Sequence, residues 1–214
     1  MIPRHQKYLF VILLVASLAM GVALWELREH AHKRLLAGQD SAPTSAPVIA
    51  PAEEATLLVA NDSDGSLRTQ AHSLPLPADP GARARAVLDK LLELYAAPDA
   101  AHAVPGGGGS VTQVFLLPVA HTAGAGTSSQ EQQFGPQLAV VNLTGSFAAS
   151  HPSGIETEML TVLSICGTLH ANLSRVTQVR FLVDGQSRAT LAGHADLTRT
   201  YLTGDAAPAE GAQP

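Results

Sequence analysis

The chain has 214 residues, of which 14% are charged and 4% aromatic, and its formal net charge is −5. Nothing in this mild acidity argues for nucleic acid as a partner, and none is predicted, because nucleic-acid binding typically selects a basic patch or stripe. The single cysteine excludes an internal disulfide and a multi-thiolate metal site.

The first predicted element is an apolar helix. Residues 8–25, YLFVILLVASLAMGVALW, carry no charge, and about 20 such residues span a hydrocarbon core of roughly 30 Å. A cleaved signal peptide is the alternative, but the apolar run continues beyond the usual signal core of about 7–15 residues. We therefore predict a signal-anchor, with residues 1–7 in the cytoplasm. The remainder would be extracytoplasmic (periplasmic), which makes the protein a single-pass protein of the cytoplasmic (inner) membrane.

The sequence after the anchor predicts a tether. Residues 26–54 are expected to form a short juxtamembrane helix followed by a linker rich in Ala, Pro and Ser, a composition that cannot bury a core. His30 and His32 are two residues apart and cannot share a helical face, so they do not suggest a metal site. Residues 204–214 have the same composition and predict a disordered tail, which leaves residues 55–203 as the domain.

The domain begins with a predicted strand and helix. Thr56–Ala60 is a short apolar run closed by the turn cluster NDSDGS. The segment around Leu74 and Leu76 is interrupted by prolines and predicts an irregular extended stretch. Asp79 is then a candidate N-cap, with Pro80 at the first helical position. The apolar residues that follow recur at helical spacing as far as Pro98.

Two further strands are predicted at Val111–Leu117 and Leu138–Leu143. The glycines of VPGGGGS before them lack the Lys-Ser/Thr that a P-loop needs, so we interpret this run as a connector. The connection 118–137 is far longer than an ordinary hairpin loop. It is either disordered or a binding loop.

The last part of the domain predicts a helix and a strand. Gly154 precedes the helix, and Glu156 and Glu158 in its first turn complement the helix dipole. Val176–Asp184 alternates in the manner of a half-buried strand. The approximate order β-α-β-β-α-β indicates an α+β fold.

Cys166 and His170 are four residues apart on the second predicted helix, the spacing of two ligands or of a nucleophile and its base. Cys166, however, lies in the middle of the apolar stripe, and a buried cysteine behaves as a small hydrophobe. No cation that would stabilise a thiolate is close in sequence. We interpret the pair as part of the core, with the His170 ring at its edge.

Ser187 lies in GQSRA, which resembles a nucleophile elbow with Ala189 in place of the last Gly. His194 and Asp196 follow within ten residues, too close in sequence to converge on one site. A serine hydrolase is therefore the third-ranked hypothesis. The remaining histidines lack metal-ligand spacing, and neither a cofactor nor a metal is predicted: His72, His102, His121 and His151.

Three segments in order carry a resemblance to a known family: VVNLTGSF (140–147), the helix 156–176 and VRFLVDGQ (179–186). With the helix ARARAVLDKLLELY and the connector VPGGGGSV, they resemble the GerMN domain, named for a spore-germination and sporulation protein of bacteria. Two positions depart from the family pattern. Asn142 stands where Asp is usual, and Ala97-Pro98 stands where Gly-Pro is usual.

The resemblance implies a small α+β module similar to the ring-building motifs of envelope assemblies. It brings no enzymatic activity, catalytic residue or cofactor with it. The expected function is a membrane-anchored interaction or assembly module of the bacterial cell envelope, which binds a protein partner or self-associates. The alternative is a domain that binds cell-wall glycan (peptidoglycan) or a small ligand through the 118–137 loop.

Overall fold

The computed structural model describes residues 52–119 and 135–206, together with Ser17 and Met20. The chain divides into two units, 1–48 and 49–214. The predicted anchor (apart from those two residues), most of the tether, residues 120–134 of the long connection and the tail from 207 lie outside the described residues. Among the described residues, no helix has the length and apolar character needed to cross a membrane.

The described part of the second unit contains six strands and three helices. In chain order these are β1 (Ala52–Asn61), β2 (Ser66–Pro75), α1 (Pro80–Tyr95), β3 (Val111–Pro118), β4 (Gln137–Leu143), α2 (Gly145–Ser150), α3 (Ile155–Asn172), β5 (Val176–Val183) and β6 (Tyr201–Leu202), followed by a 3₁₀ turn (Thr203–Ala206). The predicted α+β class is confirmed, and every strand and helix predicted within residues 55–203 is present. Three elements were not predicted: β2, α2 and β6.

The strands form two sheets. β1 and β2 make an antiparallel hairpin, and the other four strands form a sheet in the order β3-β4-β5-β6. Within this second sheet β4 and β5 are parallel and the other neighbours antiparallel. A parallel pair needs a crossover, which here is supplied by α2 and α3.

Helix α1 forms where its local sequence predicted it. The Asp79 carboxylate accepts a hydrogen bond from the Ala82 N–H at 2.8 Å, and Pro80 occupies the first helical position. The apolar positions Val87, Leu88 and Leu91 are buried as the spacing indicates. Capping and periodicity are therefore sufficient to account for this helix.

Helix α3 packs against β1 as well as β5, so it lies between the two sheets. The sequence predicted that one apolar stripe of α3 would be buried, but α3 is buried on several sides, including polar positions outside that stripe. Gly167 makes the approach of β1 possible, since a Cβ there would overlap the Leu58 side chain and crowd Ala206. A helix that is enclosed in this way has little need of a solvent face.

Side chains from the helices hydrogen-bond the backbone of β1. Thr168 Oγ1 accepts from the Leu58 N–H at 2.9 Å, and the Tyr95 hydroxyl accepts from the Ala60 N–H at 2.9 Å. Asn172 accepts from Thr56 N–H at 3.0 Å and donates to the Thr56 carbonyl at 2.6 Å. These bonds satisfy strand groups that would otherwise be buried unpaired, and they fix the hairpin on the helices.

The structure also corrects three local predictions. The segment around Leu74 is part of the regular strand β2 as far as Pro75, because pairing with β1 holds it extended. Residues 52–54, predicted as the end of the tether, belong to β1. Residues 204–206, predicted as tail, lie in the 3₁₀ turn, where Ala206 is buried.

Candidate functional site

Cys166 is in the core, as predicted. Its side chain is buried, and burial raises the pKa of the thiol because the thiolate would lose its solvation. His170 lies outside this environment: its ring is exposed and Nδ1 is 2.9 Å from the Val176 carbonyl oxygen. The two side chains therefore do not form a joint reactive site.

The three residues that resemble a hydrolytic triad have separate surroundings. Ser187 is exposed in the segment after β5. His194 Nδ1 lies 2.9 Å from Glu158 and 3.3 Å from the Ser153 hydroxyl, while Asp196 accepts from Thr198 at 2.6 Å. The expectation that they do not converge agrees with these contacts.

Glu158, which the sequence suggested only as a helix-dipole residue, holds the segment between β5 and β6. The carboxylate is fully buried, and Oε2 accepts backbone hydrogen bonds from Ala192, His194 and Ala195 at 3.0, 2.9 and 2.8 Å. Oε1 contacts His194 Nδ1 and accepts from the Gly154 N–H at 3.3 Å. One side chain thus ties α3 to a segment more than thirty residues away in the sequence.

The Glu158 carboxylate is held in its charged form. Burial alone would raise its pKa, but the backbone N–H donors and the His194 contact outweigh burial and lower the pKa to about 2. A carboxyl group that acts as a general acid needs a pKa near the working pH, often raised by an apolar environment. Glu158 therefore has the properties of a structural anion.

A second polar cluster crosses the interior as a hydrogen-bonded chain. His102 Nδ1 lies 2.5 Å from an Asp62 oxygen, and His102 Nε2 lies 2.7 Å from the Thr161 hydroxyl. The same hydroxyl is 2.7 Å from His151 Nε2, and His151 Nδ1 is 2.7 Å from the Pro152 carbonyl oxygen. The order Asp–His–hydroxyl matches the chemical types of a catalytic triad.

Hydrogen counting and burial both assign this chain a structural role. The hydroxyl of Thr161 has one hydrogen and cannot donate to two acceptor nitrogens. Neutral His151, which donates from Nδ1 to the Pro152 carbonyl, can accept from this hydroxyl, and the hydroxyl also lies 3.2 Å from the Thr157 carbonyl oxygen. Desolvation by burial lowers the pKa of His151, which agrees with the neutral form. His102 and Thr161 are fully buried, so no substrate reaches the hydroxyl.

The motif VDGQ closes β5 with a tight turn. Asp184 and Gly185 both have positive φ, and Val183 and Gln186 exchange backbone hydrogen bonds across them, as in the two-residue hairpin turns that favour Asp-Gly. The Asp184 carboxylate accepts from the Gly145 N–H at 2.9 Å, and Asn142 Oδ1 accepts from the Gly185 N–H at 2.7 Å. Two of the segments that carry the family resemblance are thus joined directly, and Asn142, where Asp is usual, retains an oxygen acceptor.

The outer face of the four-stranded sheet carries three of the large apolar side chains that are exposed in the described part of the domain. Its strands place alternate residues on the two faces, and the inner set is buried under the helices. The outer set, which we call the open sheet face, follows from the strand register. Its apolar members are Phe115, Leu117, Leu138, Val140, Leu182 and Leu202, and its polar members are Gln113, Asn142, Gln178 and Arg180. Phe115, Leu117 and Leu202 are 44%, 48% and 53% exposed.

Arg180 lies near the middle of this face. The register places it in one row with Val140 and Phe115, and the adjacent row contains Leu117, Leu138, Gln178 and Leu202. It is the sole charged residue in the four strands. The guanidinium has no ion-pair or hydrogen-bond partner among the described residues. The sequence predicted the strands but did not single out this face.

The described residues contain no cluster of side chains suited to bind a metal ion. Over residues 52–119 and 135–206, no group of three or more His, Cys, Asp or Glu side chains is arranged to hold an ion. His72, for example, lies on the exposed hairpin with Gln70, 3.4 Å away, as its neighbour.

The sequence signal that could have located the open sheet face is the run VTQVFLL, which is apolar at successive positions and not only at alternate ones.

Comparison with known proteins identifies one family. The sequence model of the Germane family, described as sporulation and spore germination, matches residues 56–189. The match covers both the hairpin and the α2–α3 crossover, and it confirms the resemblance to the GerMN domain. A search of curated proteins and a search of solved structures gave no match.

Proposed function

This chain belongs to the Germane family of sporulation and spore germination, and we propose that its domain is a non-enzymatic interaction module of the bacterial cell envelope. One observation carries the proposal. Cys166 is buried, and the His194 and Asp196 that follow exposed Ser187 make their contacts with other residues, whereas an apolar sheet face with an unpaired arginine is exposed to solvent. Exposed apolar surface of this kind is a mark of interaction sites.

The interior supports this view of the domain. Glu158, His102 and Thr161 are fully buried, and each bonds to groups from a different part of the chain. Groups used in this way hold elements together and are not free to move a proton to a substrate. The domain therefore offers its exposed surface to other molecules.

The location of the domain is part of the proposal. Residues 8–25 have the length and composition of a membrane anchor, and we infer that they hold the protein in the cytoplasmic membrane with the domain on the periplasmic side. The Ala/Pro-rich residues that follow then act as a tether of several tens of ångströms at most. A tethered domain reaches partners in the envelope without leaving the membrane.

Location is tested with a Ser187→Cys variant of the full chain in spheroplasts. Position 187 is exposed, whereas native Cys166 is buried, so a membrane-impermeant maleimide should label the variant and spare the wild type. Labelling before lysis, in a membrane fraction, is the expected result. Labelling that requires lysis, or a protein found in the soluble fraction, would contradict the proposed topology.

Activity is tested on the same protein with ester, peptide and phosphate substrates. No turnover is expected, and hydrolysis that is lost in Ser187→Ala would establish the third-ranked hypothesis instead. Retention of the full chain by purified peptidoglycan, lost when residues 120–134 are shortened, would favour the glycan-binding alternative. Crosslinking in cells should instead yield a specific envelope protein.

A further inference from the structure

We propose that the open sheet face binds an envelope protein through an apolar strand or helix face that presents a carboxylate to Arg180. This inference rests on the proposed function and assigns it a surface and a partner chemistry. On this face the unpaired guanidinium of Arg180 is surrounded by exposed and half-buried aliphatic and aromatic side chains.

The apolar part of the face supplies the contact area. The row that crosses the sheet through Leu117, Leu138, Gln178 and Leu202 contains three leucines, and Phe115 extends the surface at the outer strand. Aromatic and aliphatic side chains of this type anchor protein interfaces, with arginine the charged residue most enriched among them. A domain that exposes them to water without a partner gains nothing in stability.

The charge on the face selects the occupant. Because the strands contain no acidic residue, an apolar partner that covers Arg180 without a carboxylate would bury an uncompensated charge, which is costly. A second copy stacked face to face would bring two arginines into the same interface without a counter-charge. The complementary partner is therefore a different protein with an acidic residue among apolar ones.

A membrane surface fits the face less well. Binding to anionic lipid gains about 1 kcal/mol for each basic residue near the surface, and this face has one. The formal charge of the whole chain is −5, which adds repulsion. Protein is the class of partner that both the shape and the charge favour.

The test uses the full-length protein in cells, with a photo-crosslinking amino acid in place of Phe115. Crosslinks should identify one envelope protein and map to an apolar segment that contains an acidic residue. Arg180→Glu should then lower the crosslink yield by about 10- to 100-fold. Replacement of the mapped acidic residue by Lys should restore the yield in the Arg180→Glu background.

Arg68→Glu is the matched control. Arg68 is also an exposed strand arginine, but it lies on β2 of the other sheet, and its variant should leave the crosslinks unchanged. Equal loss in the two variants, or no loss in Arg180→Glu, overturns the proposal. Crosslinks that map to a second copy of the chain, or to lipid, overturn it as well. If Arg180→Glu has no effect and the same envelope protein is captured through another surface, the assignment of the open sheet face is wrong. The proposed function as an interaction module would still be supported.

Discussion

Helix α3 and the open sheet face treat polarity in opposite ways. Along α3, the polar side chains of Glu158, Thr161 and Thr168 are fully buried, and each is hydrogen-bonded to another element. Across the sheet, apolar side chains of Phe115 and its neighbours are exposed to solvent. The buried polar groups of α3 hold the domain together, so substitutions in α3 should destabilise the fold. The open sheet face contributes little to folding, so its composition calls for an explanation in binding.

The largest effect is expected for Glu158→Gln. The amide keeps the size of the side chain but loses the charge and one of the two acceptor oxygens. If its remaining oxygen takes the place of Oε2, its NH₂ group faces the Gly154 N–H, whose hydrogen bond it cannot accept. Loss of a buried, charged acceptor should reduce the free energy of unfolding by about 3 kcal/mol. Urea unfolding at pH 7 measures the difference.

Glu156→Gln is the control for that variant. Glu156 lies in the same first turn of α3 but is exposed, so its loss removes only a helix-dipole interaction of about 0.3–1 kcal/mol. Equal destabilisation by the two variants would show that the buried acceptor has no special role. The contrast between α3 and the open sheet face would then lose its main support.

Acid should remove the same contribution in the wild type. The pKa of Glu158 is lowered from an ordinary value of 4.5 to about 2 in the folded protein. The unfolded state therefore binds the proton first, and stability falls as the pH is lowered. The advantage of wild type over Glu158→Gln should be complete above about pH 4.5 and should shrink towards zero near pH 2. A gap that stays constant over this range of urea titrations would contradict the assignment.

Thr168→Val should cost less, about 2 kcal/mol. Valine has nearly the shape of threonine, but it has no oxygen. The Leu58 N–H, which donates a hydrogen bond to Thr168 Oγ1 at 2.9 Å, would therefore be buried without this acceptor. Thr69→Val on β2 is the matched control: Thr69 is exposed, and a β-branched residue suits a strand. Unfolding free energies within about 0.5 kcal/mol of each other for the two variants would show that the docking of β1 does not depend on this bond.

Gly167→Ala tests the packing between α3 and β1. Alanine favours a helix over glycine by about 1 kcal/mol, but its Cβ would overlap Leu58 and crowd Ala206. Overpacking in a core typically costs about 1–3 kcal/mol, so we expect a net loss of about 1 kcal/mol in thermal or urea unfolding. Gly108→Ala, where nothing lies within 4 Å, should be neutral or slightly stabilising. A stabilised Gly167→Ala variant would mean that the hairpin lies less close to α3.

The parts of the fold that the sequence predicted are those with local causes. Asp79 and Pro80 mark the start of α1 by capping chemistry, and the Asp-Gly of VDGQ marks the end of β5 by turn chemistry. Strand β2 lacked such a signal, because its exposed residues Arg68, Thr69 and Gln70 are all polar and show no alternation with apolar residues. It is a strand because β1 pairs with it. Helix α2 has six residues, too few for a periodicity to appear.

The internal polar contacts could not be predicted for a related reason. Asp62, His102 and Thr161 are separated by 40 and 59 residues, so only the folded chain brings them together. The partners of Glu158 are mainly backbone N–H groups, which any residue but proline supplies and which leave no trace in sequence. The open sheet face was in principle visible in VTQVFLL, but a run that is apolar at successive positions equally describes a strand buried on both sides.

The smallest effect on stability is expected on the open sheet face. Phe115→Thr combined with Leu117→Thr replaces exposed apolar side chains by a residue with high strand propensity, so the free energy of unfolding should change by no more than about 0.5 kcal/mol. Val114→Thr, at the position before Phe115 on the same strand but buried, should cost about 1–3 kcal/mol because its hydroxyl enters the core. Urea unfolding compares the two. Strong destabilisation by the Phe115→Thr/Leu117→Thr pair would mean that the face is covered within the folded chain and is not available to a partner. A stable double variant that no longer crosslinks in cells would instead show that neighbouring residues of β3 serve binding and folding separately.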